Sequence, residues 1–524
     1  MSNRRVYINQ DDSAFTRCHP LEDMTVEGAE KLVDFYAQAS QLGGLAFCVN
    51  MQRALFDSAV WETITDRLES RGDTALIAAV GEIAGTAALQ ERGVDHFKVW
   101  LQRARKHGVE AFLTMRMNDC HGLESHGGFG RADRGIDQDH FHSHATEFWK
   151  ANKHLRRAPY RFERSFEGAF DYTHEKVRSH HLALITELFE RYDMDGLELD
   201  WMRWMFMFAP GKEAAGRDIL SSFIAQVHDL RKTAEKRWGH KIELRHRIPA
   251  EPQTSLALGY DAPAWARHGM ADQVILSCFG GVANFDYPID LWRQLLGSNV
   301  RILAHVESST NAYPGQMAVD YHFSFGSASS ALKRGADGVY LFNECYREAG
   351  PEPERRLMLK LLNTLGSEDT LNTVVRRHAV SYPQSRAPGE ALRTPLPIPM
   401  KNPYFGQDAG RWAENITVRV DVGSKPKSAK FVLRLGFSAE TNLQGLEVRV
   451  NGAIVSLTAA PAYPCCTVAA FPDNCFPSIP ARAQRLIHLE IPASTLLEGV
   501  NVVEFEPTGE TGQLEWAEIL VLPS

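Results

Sequence analysis

Residues 193–204 read DMDGLELDWMRW: Leu197 and Leu199 alternate with Glu198 and Asp200, and Trp201, Arg203 and Trp204 follow at once. Leucines on one side and carboxylates on the other describe a strand with one apolar and one polar face. A carboxylate on a strand otherwise built to be buried is costly unless it is paired or used. A second acidic tip ends the segment VRILAHVE (300–307), where Leu303, His305 and Glu307 share one face. Two carboxylates across a cavity mouth suit cleavage of a glycosidic bond. One protonates the leaving oxygen while the other stabilises or attacks the oxocarbenium-like centre. The pattern does not say which of Asp200 and Glu307 takes which part.

Such a pair needs a frame, and the chain repeats one. Strand-like runs recur at 6–9, 44–50, 110–118, 196–200, 241–248, 272–279, 300–307 and 338–344. Helical patterns at 26–41, 95–107, 174–192, 217–238, 262–270, 289–296 and 325–334 separate them. In the third of these, Val177, Leu184, Ile185, Leu188 and Phe189 form the apolar stripe. Alternating strands and helices predict a parallel sheet, and eight strands predict closure into a (β/α)8 TIM barrel. An open doubly wound sheet is disfavoured. Its Gly-rich phosphate loop is missing, and Gln10, Asp11 and Asp12 follow the first strand instead. Barrel strands are expected to begin near 5, 45, 111, 196, 242, 273, 301 and 338.

The face toward the helices must be apolar, so alternation assigns the inward residues. They are Tyr7, Asn9 and Asp11 on the first strand, Ala46, Cys48 and Asn50 on the second, and Thr114, Arg116 and Asn118 on the third. Glu198 and Asp200 follow on the fourth, Glu243, Arg245 and Arg247 on the fifth, and Leu303, His305 and Glu307 on the seventh. Ser277 against Cys278, and Asn343 against Glu344, stay open. Asp200 and Glu307 are the expected catalytic pair. Asn9, Asn50, Arg116, Asn118, Trp201, Arg203, Trp204, Arg245, Arg247, His305 and Asn343 are the expected substrate contacts. Arg116 and Arg245 flank the fourth strand and are suited to neutralise Glu198 and Asp200. With Arg203 and Arg247 they equally suit pairing with an anionic sugar.

At 524 residues, 44% of them hydrophobic, the chain exceeds one typical domain. A formal charge of −8 without a basic run argues against a nucleic-acid partner. No apolar run is long enough to span a bilayer. MSNRRVYIN enters the first strand directly, so the chain as given is expected in the cytoplasm, or in the periplasm or outside the cell if a leader was trimmed. Eight scattered cysteines, without C-x-x-C spacing, read as buried thiols, with a Cys475 bridge to Cys465 or Cys466 the alternative. The expected domains are a barrel over 1–375 with an insertion at 119–172, a Pro-rich linker over 376–402, and an all-β sandwich over 403–524. The sandwich serves a structural or a sugar-binding purpose. The insertion carries Phe129, Phe141, Phe148, Trp149, Tyr160, Phe162, Phe166 and Tyr172. It is expected to lie over the C-terminal face and line its cleft.

FWKANKHLRR (148–157) followed by FDYTHEKVRSHHLALITELFERYDMDGLELDWMR (170–203) resembles the signature of glycoside-hydrolase-like barrel proteins. DGLELD is also similar to the fourth-strand motifs of the α-amylase, chitinase and α-galactosidase groups, which place an acidic catalytic residue there. The resemblance implies a glycoside hydrolase that acts on an oligo- or polysaccharide and needs no cofactor or metal. Met202 stands where the chitinase motif has glutamate, which argues against substrate-assisted chemistry. Two alternatives remain: a metal-dependent barrel hydrolase and a non-catalytic sugar-binding barrel. His140, His142 and His144 alternate, with His121 and His126 nearby, but they fall in the insertion rather than on the first strand. Activity is therefore expected to survive dialysis against a chelator. Loss of turnover that zinc restores would transfer the chemistry to the histidines.

Overall fold

The computed structural model describes residues 4–66, 81–120, 123, 145–160, 165–279, 282–400, 415–461, 478–506 and 511–524. Eight parallel strands close into a barrel: β1 (Val6–Asp11), β2 (Leu42–Cys48), β3 (Glu110–Arg116), β4 (Gly196–Asp200), β5 (Glu243–Pro249), β6 (Gln273–Ser277), β7 (Arg301–Val306) and β8 (Gly338–Leu341). Each pairs with the next, and β8 pairs with β1. The (β/α)8 expectation holds.

Alternation has the expected effect. Leu45, Phe47, Leu113, Met115, Leu197, Leu199, Leu244 and Ile302 belong to the continuous core between sheet and helices. Tyr7, Ala46, Phe112, Ile275, Leu303, Tyr340 and Phe342 form a separate small core inside the barrel. The helices carry local signals. Thr25 accepts the Gly28 N–H at the start of Val26–Ala37, and Asp95 accepts the Lys98 N–H at the start of His96–Lys106. Helix Glu213–Trp238 ends at Gly239, whose φ of 77° is costly for any residue with a Cβ.

Register then stacks the interior charges in layers. Glu198 is level with Thr114 on β3 and Arg245 on β5, while Asp200 is level with Arg116 and Arg247. At the N-terminal end Arg301 reaches Glu243 at 2.5 Å, the Tyr7 hydroxyl at 2.7 Å and Glu110 at 3.2 Å. Glu198 and Arg245 form the layer above, 3.1 Å apart and both fully buried. Glu198 also accepts from the Thr114 and Tyr340 hydroxyls, each at 2.9 Å. Asp200 and Arg247 form the layer at the C-terminal mouth.

Two antiparallel sheets follow. One orders Arg376–Ala379, Gln513–Pro523, Ala429–Phe437 and Arg485–Ile491; the other contains Ile416–Asp421, Val500–Phe505 and Val448–Val450. Residues 376–379, whose neighbourhood reads by composition as linker, are thus a strand paired to the chain's last one. The sandwich core takes in Phe285, Ala312, Ala318 and Phe323 from the barrel's loops and from the helix between β7 and β8. Beside it, Arg377 makes two bonds to Glu518 at 2.7 and 2.8 Å and one to Asp320 at 3.0 Å. Arg434 and the Trp516 indole also bond Glu518, each at 2.9 Å. Burial pushes the Glu518 carboxyl up, but Arg377 and Arg434 outweigh it and hold it below the usual range.

Glu518→Ala would leave two buried guanidinium groups facing each other. A loss of about 3–5 kcal/mol is expected, typical of breaking a buried ion pair from one side. It should be read as a lower denaturant midpoint by tryptophan fluorescence. An unchanged midpoint would make this network dispensable.

Candidate functional site

The polar residues that end β3, β4, β5 and β7 meet at the C-terminal mouth, where active sites of this architecture lie. Asp200, at the tip of β4, is 2% exposed. Nη1 of Arg247 donates to both Asp200 oxygens at 3.1 Å, and the Met202 N–H donates to Oδ1 at 2.9 Å. Arg247 is itself fixed. Its Nε donates to Ser277 Oγ at 2.9 Å, and its guanidinium lies 3.8 Å over the Phe342 ring. Of the pair left open on β6, Ser277 faces the mouth. Cys278 belongs to the outer core, and burial pushes its thiol up to about 12.

Glu307, just beyond β7, is 5% exposed and stands in the opposite setting. Its Oε1 meets His305 Nε2 at 3.0 Å and accepts from Asn343 Nδ2 at 3.1 Å. Burial first, then the negative charge of Glu344, push its carboxyl up to about 8 against the pull of Arg247 and Arg203. His305 cannot supply a full positive charge. Burial, helped by Arg247 and Arg203, holds its ring well below the usual range and so neutral. Asn343 has φ of 56°, a left-handed conformation that asparagine tolerates better than most residues. Glu344, the alternative, turns away to Arg347 and to the Ser308 hydroxyl.

Opposite, Arg116 bridges Asp11 at 2.9 Å and Asp119 at 3.3 Å, and Asn9 donates to Asp11 at 2.7 Å. Burial raises the Asp11 carboxyl, yet Arg116 and Arg203 overcome this and hold it low. Arg203 is half-buried, 5.5 Å from the Phe342 ring. The mouth therefore gathers Asn9, Arg116, Asp200, Arg203, Arg247, His305, Glu307 and Asn343. It also holds Asp119, Ser277 and Phe342, which alternation alone did not assign. Asp119 lies past the end of a strand, and aromatic Phe342 gave no polar signal.

Four expected contacts lie elsewhere. Trp201 is 0% exposed and packs behind the sheet against Tyr172, Phe223, Tyr260 and Trp265, with its indole N–H on His246 at 3.3 Å. As the residue after Asp200 it has to point outward, so it is core rather than a stacking surface. Arg245 sits one layer below the mouth, wedged 4.0 Å from the Phe112 ring. The Asn50 amide is consumed by the Arg116 backbone, donating to its oxygen and accepting from its N–H, both at 3.0 Å. Asn118 holds Phe170 and Phe206 carbonyls at 2.9 and 3.0 Å. Trp204, with φ of 72° and 6% exposure, borders the mouth between Phe166 at 6.0 Å and Phe279 at 5.9 Å.

The described part of the insertion anchors beside β4. Arg157 donates to the Phe208 carbonyl at 2.8 Å, and Phe148 stacks on His180 at 3.9 Å, which also stacks on Trp61 at 4.4 Å. A cavity of about 460 Å³ beyond the ends of β5 and β6 is lined by Glu251, Thr254, Asn284, Asp286, residues from 381–393 and Arg419, and by none of the insertion's described residues. The segment after Arg376–Ala379 closes that side, while Phe166 of the insertion meets Trp204 at the border of the mouth; residues 121–122, 124–144 and 161–164 of the insertion lie outside the described residues. His121, His126, His140, His142, His144, Phe129, Phe141, Phe162, Cys465, Cys466 and Cys475 lie outside the described residues. Among the described residues no cluster of three His, Cys, Asp or Glu side chains is suited to a metal.

No protein-family model matches the chain, and no curated protein matches it. Solved structures resemble it in fold. α-L-fucosidase isoenzyme 2 of Paenibacillus thiaminolyticus matches 72% of this chain and 51% of its own at 12% identity, TM-score 0.40; the chain thus spans about half that structure. Isoenzyme 1 from the same organism matches 96% and 97% at 13% identity, TM-score 0.35. A family GH18 chitinase of Chromobacterium violaceum matches 98% and 91% at 9% identity, TM-score 0.34. All three are glycoside-cleaving enzymes by name, and at such identities and TM-scores the likeness does not bear on activity.

Trp201→Ala is expected to cost about 3–5 kcal/mol of stability, as for a buried aromatic truncated in a core. Thermal unfolding followed by circular dichroism would measure it. A variant as stable as the parent would return Trp201 to the surface.

Proposed function

We propose that the chain is a glycoside hydrolase in which Glu307 donates the proton and Asp200 is the charged carboxylate. One observation carries this: two carboxylates at the tips of β4 and β7 sit in opposite electrostatic settings. Environments that push two titratable groups apart are how such sites divide acid from base or nucleophile. Asp200 has Arg247 against both its oxygens. Glu307 is buried beside Glu344 with only neutral His305 and Asn343 bonded to it. In this mechanism Glu307 protonates the glycosidic oxygen as the bond to the anomeric carbon lengthens. Asp200 then meets the positive charge at that carbon, either by attack or by activating water. Asn9, Arg203 and Asn343 lie at the rim, where sugar hydroxyls need donors and acceptors. The substrate is an oligo- or polysaccharide. No described helix is long and apolar enough to cross a membrane.

A second reading, a sugar-binding barrel without turnover, is favoured by one feature. Arg247 fills both Asp200 oxygens and Met202 adds a third bond, leaving little room for an attacking carboxylate. Product chromatography over a polysaccharide panel that includes anionic algal and plant glycans separates the two.

Asp200→Asn and Glu307→Gln should each slow turnover by at least ~10²-fold, the usual contribution of positioned acid–base catalysis. The proton donor must be protonated, and the Glu307 carboxyl sits at about 8, so activity should persist through neutrality and fall as pH rises past about 8. Glu344→Gln removes a neighbouring negative charge, lowers that carboxyl and should move the falling limb to lower pH. A limb that stays put would remove Glu307 from the acid role, and full activity in Asp200→Asn would favour the binding barrel.

A further inference from the structure

The cavity of about 460 Å³ is formed where the segment after Arg376–Ala379 folds back over the ends of β5 and β6. The fold-back is held in several places. The Phe279 N–H donates to Ser385 Oγ at 3.2 Å, the Thr254 hydroxyl donates to Glu390 at 2.9 Å, and Arg393 donates to Gln253 at 2.8 Å. Its volume falls within the range of pre-formed ligand pockets, and it is larger than a single pyranose ring requires.

This cavity is joined to the mouth by a short chain of contacts. Asp200 is held by Arg247, Arg247 by Ser277, and the Ser277 carbonyl accepts the Ala250 N–H at 2.9 Å. Glu251 is the next residue and lines the cavity. Phe279, bonded to Ser385 on the cavity side, packs on Trp204 at the mouth side. The buried Cys278 thiol lies within electrostatic range of both Glu251 and Glu307.

Most charges around the cavity are already engaged: Glu390 with Thr254, Asp286 with Arg334 and Arg419, Arg393 with Gln253. Glu251 and Arg386 are different. Each lines the cavity, and neither side chain forms a hydrogen bond or ion pair with a described residue. One accepts only and the other donates only, and their charges cancel. Sugar hydroxyls both donate and accept, so a carboxylate and a guanidinium across a pocket match vicinal hydroxyls by charge-assisted bonds. Tyr382 and Leu392 supply apolar wall for a sugar face.

We infer that this cleft is a remote subsite that takes the units of a neutral oligosaccharide lying beyond those held at the barrel mouth. The inference rests on the glycoside-hydrolase reading for the location of the bond that is cut. It makes the preferred substrate a chain rather than a disaccharide, and it gives the fold-back segment a binding purpose.

Isothermal titration of the full chain with the di- and hexasaccharides of cellulose, amylose and xylan tests it. In the parent protein one hexasaccharide is expected to bind at least ten-fold more tightly than its disaccharide. Arg386→Ala and Glu251→Gln should each abolish most of that gain with length. Arg386 is exposed, so its variant should keep the parental melting curve. If the gain survives both substitutions, or no hexasaccharide outbinds its disaccharide, the subsite is overturned. Product chromatography on the same mixtures addresses the catalytic reading separately. A length-dependent gain without any cleavage would sink the hydrolase and leave the subsite standing.

Discussion

The pairing of buried charge inside the barrel is the constraint around which the rest is arranged. Glu198 and Asp200 are buried, and an isolated ionised carboxylate in such a place would cost many kcal/mol. β5 answers both at the matching level, Arg245 to Glu198 and Arg247 to Asp200. A one-residue slip between β4 and β5 would turn both arginines toward the helices and strand both carboxylates. Buried charge thus specifies register even where it contributes little net stability.

The two layers have different surroundings. Arg245 is boxed by the Phe112, Tyr7 and Tyr340 rings, and Glu198 has hydroxyl donors from Thr114 and Tyr340. That layer is a closed floor. The upper layer has the same ion pair but opens toward Arg203 and Asn343, both only half-buried. Across from it, Glu307 is left with neutral partners and an acidic neighbour. The same low dielectric that makes Arg247 effective on Asp200 raises Glu307. The mouth thus sets a carboxylate paired with a guanidinium beside a carboxyl that burial and Glu344 push up to about 8.

The sandwich is tied to this arrangement rather than appended to it. Arg377 and Glu518 belong to it, yet Asp320, their third partner, precedes the helix between β7 and β8. The chain leaving Arg376–Ala379 then returns over β5 and β6 before it enters the remaining sandwich strands. Docking of the second domain and completion of one wall of the cleft are therefore coupled.

Much of this was legible in the residues. Eight apolar runs separated by amphipathic segments dictate a closed parallel barrel, and period-two alternation identified Asp200, Arg247, His305 and Glu307 as inward residues at strand ends. Those properties are local, set by backbone geometry and by which face must avoid water. Trp201 follows Asp200 directly and was expected to contact substrate, yet alternation points it outward. Its neighbours Phe223, Tyr260 and Trp265 come from distant segments, so only the folded chain assigns it to the core. The same is true of Asn50 and Asn118, whose amides are claimed by backbone groups from other segments. The raised Glu307 carboxyl was likewise illegible in the sequence. It depends on burial and on Glu344 standing beside Glu307, and electrostatic distance between strand ends is a property of the tertiary fold alone.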